Sequence, residues 1–298
     1  MKKEQSRIKP YIFITPALFF IGLIILFPIL YTFYISFTNM SIYHWFNFEF
    51  HGLNNYVKAL FELDSGFITA LLFTCLWTVV NMGLQLIIAF FIASLLNHKL
   101  LRFRGIYKTL LILPWAIPGY VSILLWKTGM FNTEFGLLNQ WMNDLGFESV
   151  RWLNKDVIAF VSVTVVNLWL ALPFMIVIMD GALQSIDKSY YEAADMESAT
   201  ILDKAFKITI PLIKPVIAPA VIITIFTTFK QFDVIYLLTL QPGAQTGANL
   251  HTIITYAYEN AFITSNYGYS SAISTIIFII LVSTTLIWNR SRRGVAHE

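Results

Sequence analysis

Six long apolar runs divide this sequence and restrict most strongly how it can fold. A helix needs about 20 apolar residues to cross roughly 30 Å of hydrocarbon, since within lipid every backbone polar group must be bonded inside its own segment. Hydrophobic residues make up 57% of the chain and charged residues 12%, whereas a soluble domain carries about 25% charged residues. The pattern predicts an all-α, polytopic membrane protein with six transmembrane helices. The runs cover residues 11–39, 67–96, 106–128, 157–181, 216–240 and 271–289.

The distribution of Lys and Arg predicts which side of the membrane each loop faces, because cytoplasmic loops carry an excess of both. Four basic segments occur at alternate ends of the runs, whereas the loops at the other ends, 40–66, 129–156 and 241–269, hold few cations. Charge and span count therefore agree, and both termini are predicted to be cytoplasmic. The cations assigned to the cytoplasm are Lys2, Lys3, Arg7, Lys9, Lys99, Arg102, Arg104, Lys108, Lys188, Lys204, Lys207, Lys214, Arg290, Arg292 and Arg293.

The chain is predicted to form one membrane domain over residues 11–289, with short cytoplasmic termini at 1–10 and 290–298. No low-complexity linker divides the sequence, and it shows no convincing internal repeat. The missing repeat argues against a secondary transporter built from inverted repeats. The first run is far longer than the roughly 7–15 apolar residues of a signal peptide, so it is interpreted as a retained helix.

Prolines inside the third and fourth runs predict bent helices beside a polar path. Pro114 and Pro118 lie in the third run and Pro173 in the fourth, and each removes one backbone hydrogen bond. In lipid such a break is tolerated where protein or a wet cavity satisfies the freed group. Asn167 shares a run with Pro173, which favours the polar path. The alternative is that the prolines only shape helix packing.

The fifth run is the least apolar of the six. Its hydroxyl and amide side chains, together with nearby aromatic rings, suit an uncharged, polyhydroxylated ligand, because sugar hydroxyls need paired donors and acceptors. Lys230 and Asp233 are three residues apart, so one helical turn is expected to pair them. Direct contact of Lys230 with a ligand is the alternative. The polar residues of the run are Thr224, Thr227, Thr228, Lys230, Gln231 and Asp233.

The sequence lacks the usual motifs of an enzyme. No G-x-x-x-x-G-K-[ST] loop is present to hold nucleotide phosphates, and the five His show no metal-ligand spacing. No Ser/His/Asp arrangement lies in the predicted membrane path, and a net charge of +3 is too small to indicate a nucleic-acid partner. We therefore expect no catalysis and no cofactor in this chain, with any transport driven by another subunit or by an ion gradient.

The longest polar interruption, residues 185–212, has helical composition and reaches a proline that is predicted to end it. It contains Glu192-Ala193-Ala194, followed by Ala199, Ile208 and Pro211, with Glu197, Ser198 and Ile210 between them. At these spacings the stretch resembles the cytoplasmic "EAA" loop of binding-protein-dependent ABC import permeases, in which Asp, Gly and Leu are usual at those last three positions. A left-handed conformation costs a non-glycine residue about 1–2 kcal/mol, so Ser198 is expected to give a shallower turn, or another residue breaks the helix.

Further sequence blocks extend the likeness along most of the chain and together resemble the MalF-type subunit of carbohydrate ABC importers. The pairs Ile123-Leu124, Phe131-Asn132 and Phe135-Gly136 are most similar to the maltose/maltodextrin branch. The other blocks are Gly52-Leu53-Asn54-Asn55-Tyr56, Leu111 to Pro118, Phe232 to Thr239, Tyr267-Gly268-Tyr269 and Ala272.

The resemblance implies a type I ABC importer permease fold with a cytoplasmic coupling helix, in the cell membrane of a bacterium or archaeon. The implied partners are a second, MalG-like permease, two ATPase subunits that hold ATP and Mg, and an extracytoplasmic sugar-binding protein. The implied substrate is a malto-oligosaccharide or a similar oligosaccharide. The alternatives are a permease for another solute, such as glycerol-phosphate or a uronate oligomer, a secondary carrier or channel, and a scaffold without transport.

The resemblance also implies residue roles. In the loop, Glu192 is expected to pair with a cation of the ATPase, while Ala193 and Ala194 keep the docking face thin. The full set of expected coupling residues is Tyr191, Glu192, Ala193, Ala194, Glu197, Ser198, Ala199 and Pro211. The positions expected to contact sugar are Trp115, Gly119, Asn167, Leu170, Ala171, Phe174, Thr224, Thr227, Thr228 and Gln231.

Overall fold

The computed structural model describes residues 13–62, 66–98, 100–240 and 250–295, and within that part the regular structure is helical apart from a β-bridge between Thr38 and Phe50. The predicted N-terminal segment 1–10 and the cations Lys2, Lys3, Arg7, Lys9 and Lys99 lie outside the described residues. The helices are α1 (Phe13–Ile35), α2 (Asn54–Phe61), α3 (Phe67–Leu96), α4 (Arg104–Ala116), α5 (Gly119–Met130), α6 (Leu137–Asp144), α7 (Asp156–Gln184), α8 (Lys188–Met196), α9 (Ile201–Phe229), α10 (233–240), α11 (Ile253–Phe262) and α12 (Tyr267–Val295).

Five of the described helices are long and apolar enough to cross a membrane: α1, α3, α7, α9 and α12. The bent pair α4 and α5 passes the same test as a sixth span. The all-α fold with six apolar spans is therefore confirmed. The last helix continues to Val295, beyond the predicted end of the sixth run at residue 289.

The third span is broken, as its prolines predict. α4 and α5 meet at an angle of 91°. Ile117 and Pro118 form the break, with ψ near 133° at both residues, so neither continues the helix. The ring of a proline disfavours helical backbone at the preceding residue, which explains the extended conformation of Ile117. Pro173 behaves differently, because α7 runs through it from Asp156 to Gln184.

The fifth run departs from its prediction. α9 begins at Ile201 and ends at Phe229, and a new helix starts only at Asp233, so residues 216–240 are not one helix. Lys230 caps the end of α9 and Asp233 opens α10, which places them on different helices. The predicted pairing of these two side chains is wrong, since no ion pair joins them.

The described chain separates into two compact units, Leu72–Thr252 and the remainder. In the remainder, the sequence blocks around Asn55 and Gly268 meet. The Asn55 amide donates hydrogen bonds to the carbonyls of Ser36 and Thr38 at 3.0 and 2.8 Å. A Cβ on Gly268 would lie 2.2 Å from the Thr38 carbonyl oxygen, so only glycine fits this approach.

The Leu72–Thr252 unit has two apolar clusters, one around Trp77, Val163 and Ile235 and another around Ala89, Met175 and Ile213. α3 and α7 contribute to both clusters and run parallel. Asn167 of α7 donates to Asn81 of α3 at 2.7 Å, and Asn97, directly after the end of α3, donates at 2.8 Å to Asp180 further along α7.

Candidate functional site

A cavity of about 380 Å³ lies where two helix breaks come together. One break is the α4–α5 bend at Ile117, and the other is the gap between α9 and α10 at Gln231. α7 closes a further side through Leu170. Broken helices leave backbone groups without intrahelical partners, and a cavity is where such groups are tolerated in a membrane. The lining residues are Pro114, Trp115, Ile117, Pro118, Gly119, Ile123, Leu170, Gln231, Asp233 and Val234.

Four of the residues expected to contact sugar line this cavity: Trp115, Gly119, Leu170 and Gln231. The Trp115 indole N–H donates to the Leu170 carbonyl at 3.2 Å, and its ring is centred 6.3 Å from that of Phe174. About half of Trp115 remains exposed. The contacts therefore hold the indole ring in place while about half of the residue stays exposed.

The other six expected sugar contacts, Phe174 included, are not among the lining residues. Asn167 is buried and donates its amide to Asn81, so its polar group serves the packing of α7 on α3. The hydroxyls of Thr224 and Thr227 donate to carbonyls of their own helix, at Ala220 and Thr224. Short hydroxyl side chains satisfy themselves in this way within helices. Neither Ala171 nor Thr228 is among the lining residues.

The charge at the cavity differs from the sequence prediction. Asp233 lies on the cavity lining, whereas Lys230, the proposed ligand contact, does not. Nearby, the Lys127 ammonium donates to the Leu237 carbonyl at 2.5 Å and so joins α5 to α10. The contact of Lys127 was not predicted from the sequence, although a Lys near the end of an apolar run is a signal for such a partner.

The polar stretch 185–212 forms α8, a turn and the start of α9. The Asp187 carboxylate caps α8 by accepting from the Ser189 N–H at 2.8 Å. Hydrogen bonds from the backbone N–H and the hydroxyl of Ser189 lower the pKa of the Asp187 carboxyl below its usual value. A capped helix start makes α8 a defined element rather than a frayed loop.

Ser198 takes a left-handed conformation, with φ of +55°. The Ala199 N–H donates to the Ala194 carbonyl at 3.0 Å and the Ser198 N–H donates to the Asp195 carbonyl at 3.1 Å. These two bonds form a Schellman motif, the common ending of a helix at a left-handed residue. The expectation of a shallower turn or another break is therefore wrong, because the motif's bonds offset the strain at Ser198.

Two contacts clamp α8 against the start of α9. The Tyr191 hydroxyl lies 2.9 Å from the Thr209 hydroxyl, and Asp195 forms an ion pair with Lys204. Ala194 is 8% exposed and faces into the chain, whereas Glu192 and Ala193 are exposed. The outward face of this region thus combines a carboxylate with small and apolar side chains. Its exposed apolar members include Met196, Ile201 and Leu202.

Pro211 does not end the helix, contrary to the sequence prediction. α9 passes through it, and a π-helical segment, Lys204–Thr209, precedes it. Proline cannot donate to the carbonyl four residues earlier. The π-helical turn shifts the backbone pairing of the carbonyls that precede Pro211. One of them, the Lys204 carbonyl, accepts a hydrogen bond from the Thr209 hydroxyl at 3.0 Å.

An ionic cluster that the sequence analysis did not find joins α3, α4 and α7. We call it the Asp180 cluster; its members are Asn97, Arg104, Lys108 and Asp180. Arg104 contacts the Asp180 carboxylate at 2.7 Å, Lys108 contacts its other oxygen, and Asn97 donates to it at 2.8 Å. Arg104 also donates to the Asn97 amide oxygen at 2.9 Å. An Asp at the end of an apolar run and two cations four residues apart were the available signals.

The Leu72–Thr252 unit thus combines apolar helices of membrane-spanning length with a cavity between them, and no group of three or more candidate metal ligands occurs within the part of the chain described here. Residues 85–295 match the family model described as "Binding-protein-dependent transport system inner membrane component". This match covers more than half of the chain, and the chain belongs to that family.

Relatives at about one-third identity agree with this assignment. The "Trehalose/maltose transport system permease protein MalF" of Thermococcus litoralis (strain ATCC 51850 / DSM 5473 / JCM 8560 / NS-C) is 31% identical over 288 residues, covering 97% of this chain and 94% of the relative. The "Galactooligosaccharides transport system permease protein GanP" of Bacillus subtilis (strain 168) is 31% identical over 305 residues, covering 97% and 71%. The resemblance to MalF-type permeases is confirmed.

A solved structure shows the same fold. A chain of the "bacterial alginate ABC transporter in complex with alginate pentasaccharide-bound periplasmic protein" superposes with a TM-score of 0.81 at 21% identity, covering 99% of this chain and 98% of that chain. The predicted type I ABC importer permease fold is therefore confirmed.

Proposed function

We propose that this chain is the permease subunit of an ATP-driven, binding-protein-dependent importer of oligosaccharides. The cavity at the two helix breaks is the observation that carries the proposal. Its lining brings the half-exposed Trp115 ring, the Gln231 amide and the Asp233 carboxylate to one space of about 380 Å³. Small-molecule sites typically occupy about 300–1,000 Å³.

The chemistry of this lining fits a sugar. An indole face packs against the C–H face of a sugar ring, while amide and carboxylate oxygens accept hydrogen bonds from its hydroxyls. The two helix breaks add backbone groups at the same place. Relatives named for galactooligosaccharides and for trehalose/maltose support the class of oligosaccharide. Within that class, we propose a malto-oligosaccharide or a similar sugar.

An anionic solute, such as glycerol-phosphate or a uronate oligomer, is the second candidate. It is favoured by Lys230, which is exposed and not paired with Asp233, and by a relative named for sulfoquinovosyl glycerol, 30% identical over 285 residues. Asp233 on the lining counts against it, because a carboxylate repels an anion. Lys230→Gln should sharply reduce uptake of an anionic substrate and leave uptake of a neutral sugar nearly intact.

α8 is proposed as the helix that docks on a partner ATPase. Its exposed Glu192 would pair with a cation there, and Ala193 would allow close approach. α8 is held rigidly by the Asp187 cap and by the contacts Tyr191–Thr209 and Asp195–Lys204, so we expect it to move together with the start of α9. Closure of the ATPase dimer on ATP and Mg would then displace α8 and bias the spans between two packings.

The proposed complex contains three kinds of partner for this chain and has a defined orientation in the membrane. A second, MalG-like permease would complete the path, two ATPase subunits would drive it, and an extracytoplasmic binding protein would deliver the sugar. Both termini would lie in the cytoplasm of a bacterial or archaeal cell. In this scheme the chain catalyses no reaction and holds no cofactor of its own.

The deciding experiment is uptake by proteoliposomes that contain the full complex, with a panel of sugars presented by the binding protein. ATP-dependent accumulation of an oligosaccharide is expected, and Trp115→Ala should reduce it. Trp141→Ala is the matched control, since Trp141 lies on α6, away from the cavity. The purified chain alone should move no sugar; transport by it down a proton gradient would instead show a secondary carrier.

A further inference from the structure

The Asp180 cluster lies near the end of α7, the helix that directly precedes α8 in the chain. Its carboxylate belongs to α7, its cations to α4 and its amide to Asn97, the residue that directly follows α3. We propose that the cluster is the joint through which displacement of α8 reaches the cavity, so that Arg104, Lys108 and Asp180 are positioning residues for transport. This inference rests on the proposed function and adds to it a path between its two sites.

The first step of the path runs from α8 to Asp180. α7 ends at Gln184 and α8 begins at Lys188, so only a short connection separates them. That connection is tied to α7, because the Ser185 N–H donates to the Gly181 carbonyl at 3.2 Å and its hydroxyl donates to the Ala182 carbonyl at 2.7 Å. Asp180 lies about one helical turn before the end of α7. We therefore expect a displacement of α8 to move Asp180 by a similar amount.

The second step runs along α4. Arg104 and Lys108 lie in the first turns of this helix, and Trp115 lies near its end on the cavity lining. The two ends are both tied to α7, the first through Asp180 and the second through the bond from Trp115 to the Leu170 carbonyl. α4 thus lies antiparallel along α7 with a contact at each end. A shift at the ionic end moves the Trp115 end with it.

The third element is α3, which the cluster also holds. Asn97 donates to Asp180 and to the Ala93 carbonyl, both at 2.8 Å, and accepts from Arg104. The Asp180 side chain is only 9% exposed. Neutralising a carboxylate held in this way leaves cations without their partner, so the cluster is held strongly only when all its charges are present.

The experiment measures sugar uptake and ATP hydrolysis in the same proteoliposomes, with the full complex and its binding protein. Asp180→Asn keeps the shape of the side chain and removes its charge. We expect the sugar imported per ATP hydrolysed to fall roughly five- to a hundredfold, the usual range for loss of coupling between two sites. Basal ATP hydrolysis and assembly of the complex should persist. Asp144→Asn is the matched control, because Asp144 is exposed on α6 and should leave the ratio unchanged.

A charge-exchange experiment distinguishes two roles of Asp180: transmitting the displacement of α8, or only stabilising the fold. Asp180→Lys should abolish coupled uptake, and Asp180→Lys combined with Lys108→Asp should restore part of it, because one of the two ion pairs between α4 and α7 is then remade in reverse with the same net charge, while Arg104 loses its carboxylate partner on α7. An unchanged ratio in Asp180→Asn overturns the proposal. So does a loss that the exchange does not even partly restore, or failure of both the single and the exchanged variant to assemble.

Failure of the proposed function has a different signature. In that case the wild-type complex imports no oligosaccharide at all, whatever the state of residue 180. The same variants are then compared by the stimulation of ATP hydrolysis that the binding protein causes, which depends on coupling but not on the identity of the cargo. If the stimulation is equal in Asp180→Asn and the wild type, the proposed role of the Asp180 cluster is contradicted, whether or not the cargo is an oligosaccharide.

Discussion

Two carboxylates of the Leu72–Thr252 unit have opposite surroundings. Asp180 is nearly buried and is contacted by Arg104, Lys108 and Asn97. Asp233 is exposed at the start of α10 and lines the cavity, and no ion pair within the described residues includes it. The comparison shows where the chain satisfies its own charge and where it leaves charge available. The first kind of site fixes helices, and the second is free to meet a ligand.

The largest expected effect comes from removing the satisfied carboxylate. Asp180→Ala should lower the free energy of unfolding by about 1.5–3 kcal/mol, because it removes charge-assisted hydrogen bonds, while the Arg104 and Lys108 side chains that it leaves unpaired are still 36% exposed to solvent. Thermal unfolding of the purified complex measures this change. Asp233→Ala is the matched control and should change stability by less than about 0.5 kcal/mol, as expected of an exposed site. Equal losses in the two variants would erase the distinction between the two carboxylates.

The next effect should appear in uptake rather than in stability. Trp115→Ala removes a half-exposed aromatic ring from the cavity lining, and uptake at low substrate concentration should fall roughly fivefold, since packing of a ring on an aromatic side chain contributes about 1 kcal/mol. Binding-protein-dependent uptake measures the change, and Trp141→Ala provides the baseline. If both Trp variants transport equally well, the cavity beside Asp233 is not the sugar site.

A smaller effect is expected at the turn after α8. Ser198→Gly should raise the free energy of unfolding by about 1 kcal/mol, because glycine adopts φ of +55° without the strain that a side chain adds. Ser189→Gly, inside α8, should lower it by about 0.5–1 kcal/mol. Opposite signs in the two thermal melts support the left-handed turn, whereas a loss in both argues that Ser198 is not strained.

The smallest effect concerns Thr227, which the structure places off the cavity lining. Thr227→Val should leave oligosaccharide uptake within about twofold and stability within about 0.5 kcal/mol, as for most substitutions away from packed or ionic features. Gln231→Leu, by contrast, removes an amide from the lining and should reduce uptake more. A larger uptake defect in Thr227→Val than in Gln231→Leu would falsify the cavity as described.

The sequence predicted the features that depend on local pattern. Apolar run length gave the six spans, and Pro118 gave the break in the third. The gap after Phe229 was missed because neither Gly nor Pro marks it. The partners of Asp180 were missed because Asn97 lies 83 residues away along the chain and Lys108 lies 72 away. Contacts at such separations follow from tertiary packing, which periodicity and local propensity do not encode.

At the cavity, too, the features set by local sequence pattern were predictable and those set by tertiary packing were not. Trp115 and Gln231, two of the expected sugar contacts, lie on its lining, and a break and a polar position are visible there in the sequence. Asn167 does not lie on the lining, because a polar residue in a span can face either a cavity or a neighbouring helix, and the sequence does not say which. The buried Asn81 opposite it decides the matter. Ser198 was misjudged for another reason, since the backbone bonds that stabilise its turn depend on the helix around it.

The parallel pair α3 and α7 has a mechanical consequence. Their two polar contacts, Asn81–Asn167 and Asn97–Asp180, are separated by about 20 Å along α7, at roughly 1.5 Å per residue. Two rods fixed to each other at two points lose the freedom to slide and to shear, and they keep only rotation about the line that joins those points. Sliding of α3 along α7 would therefore break both hydrogen bonds, whereas rotation of α3 about the line through them would keep both.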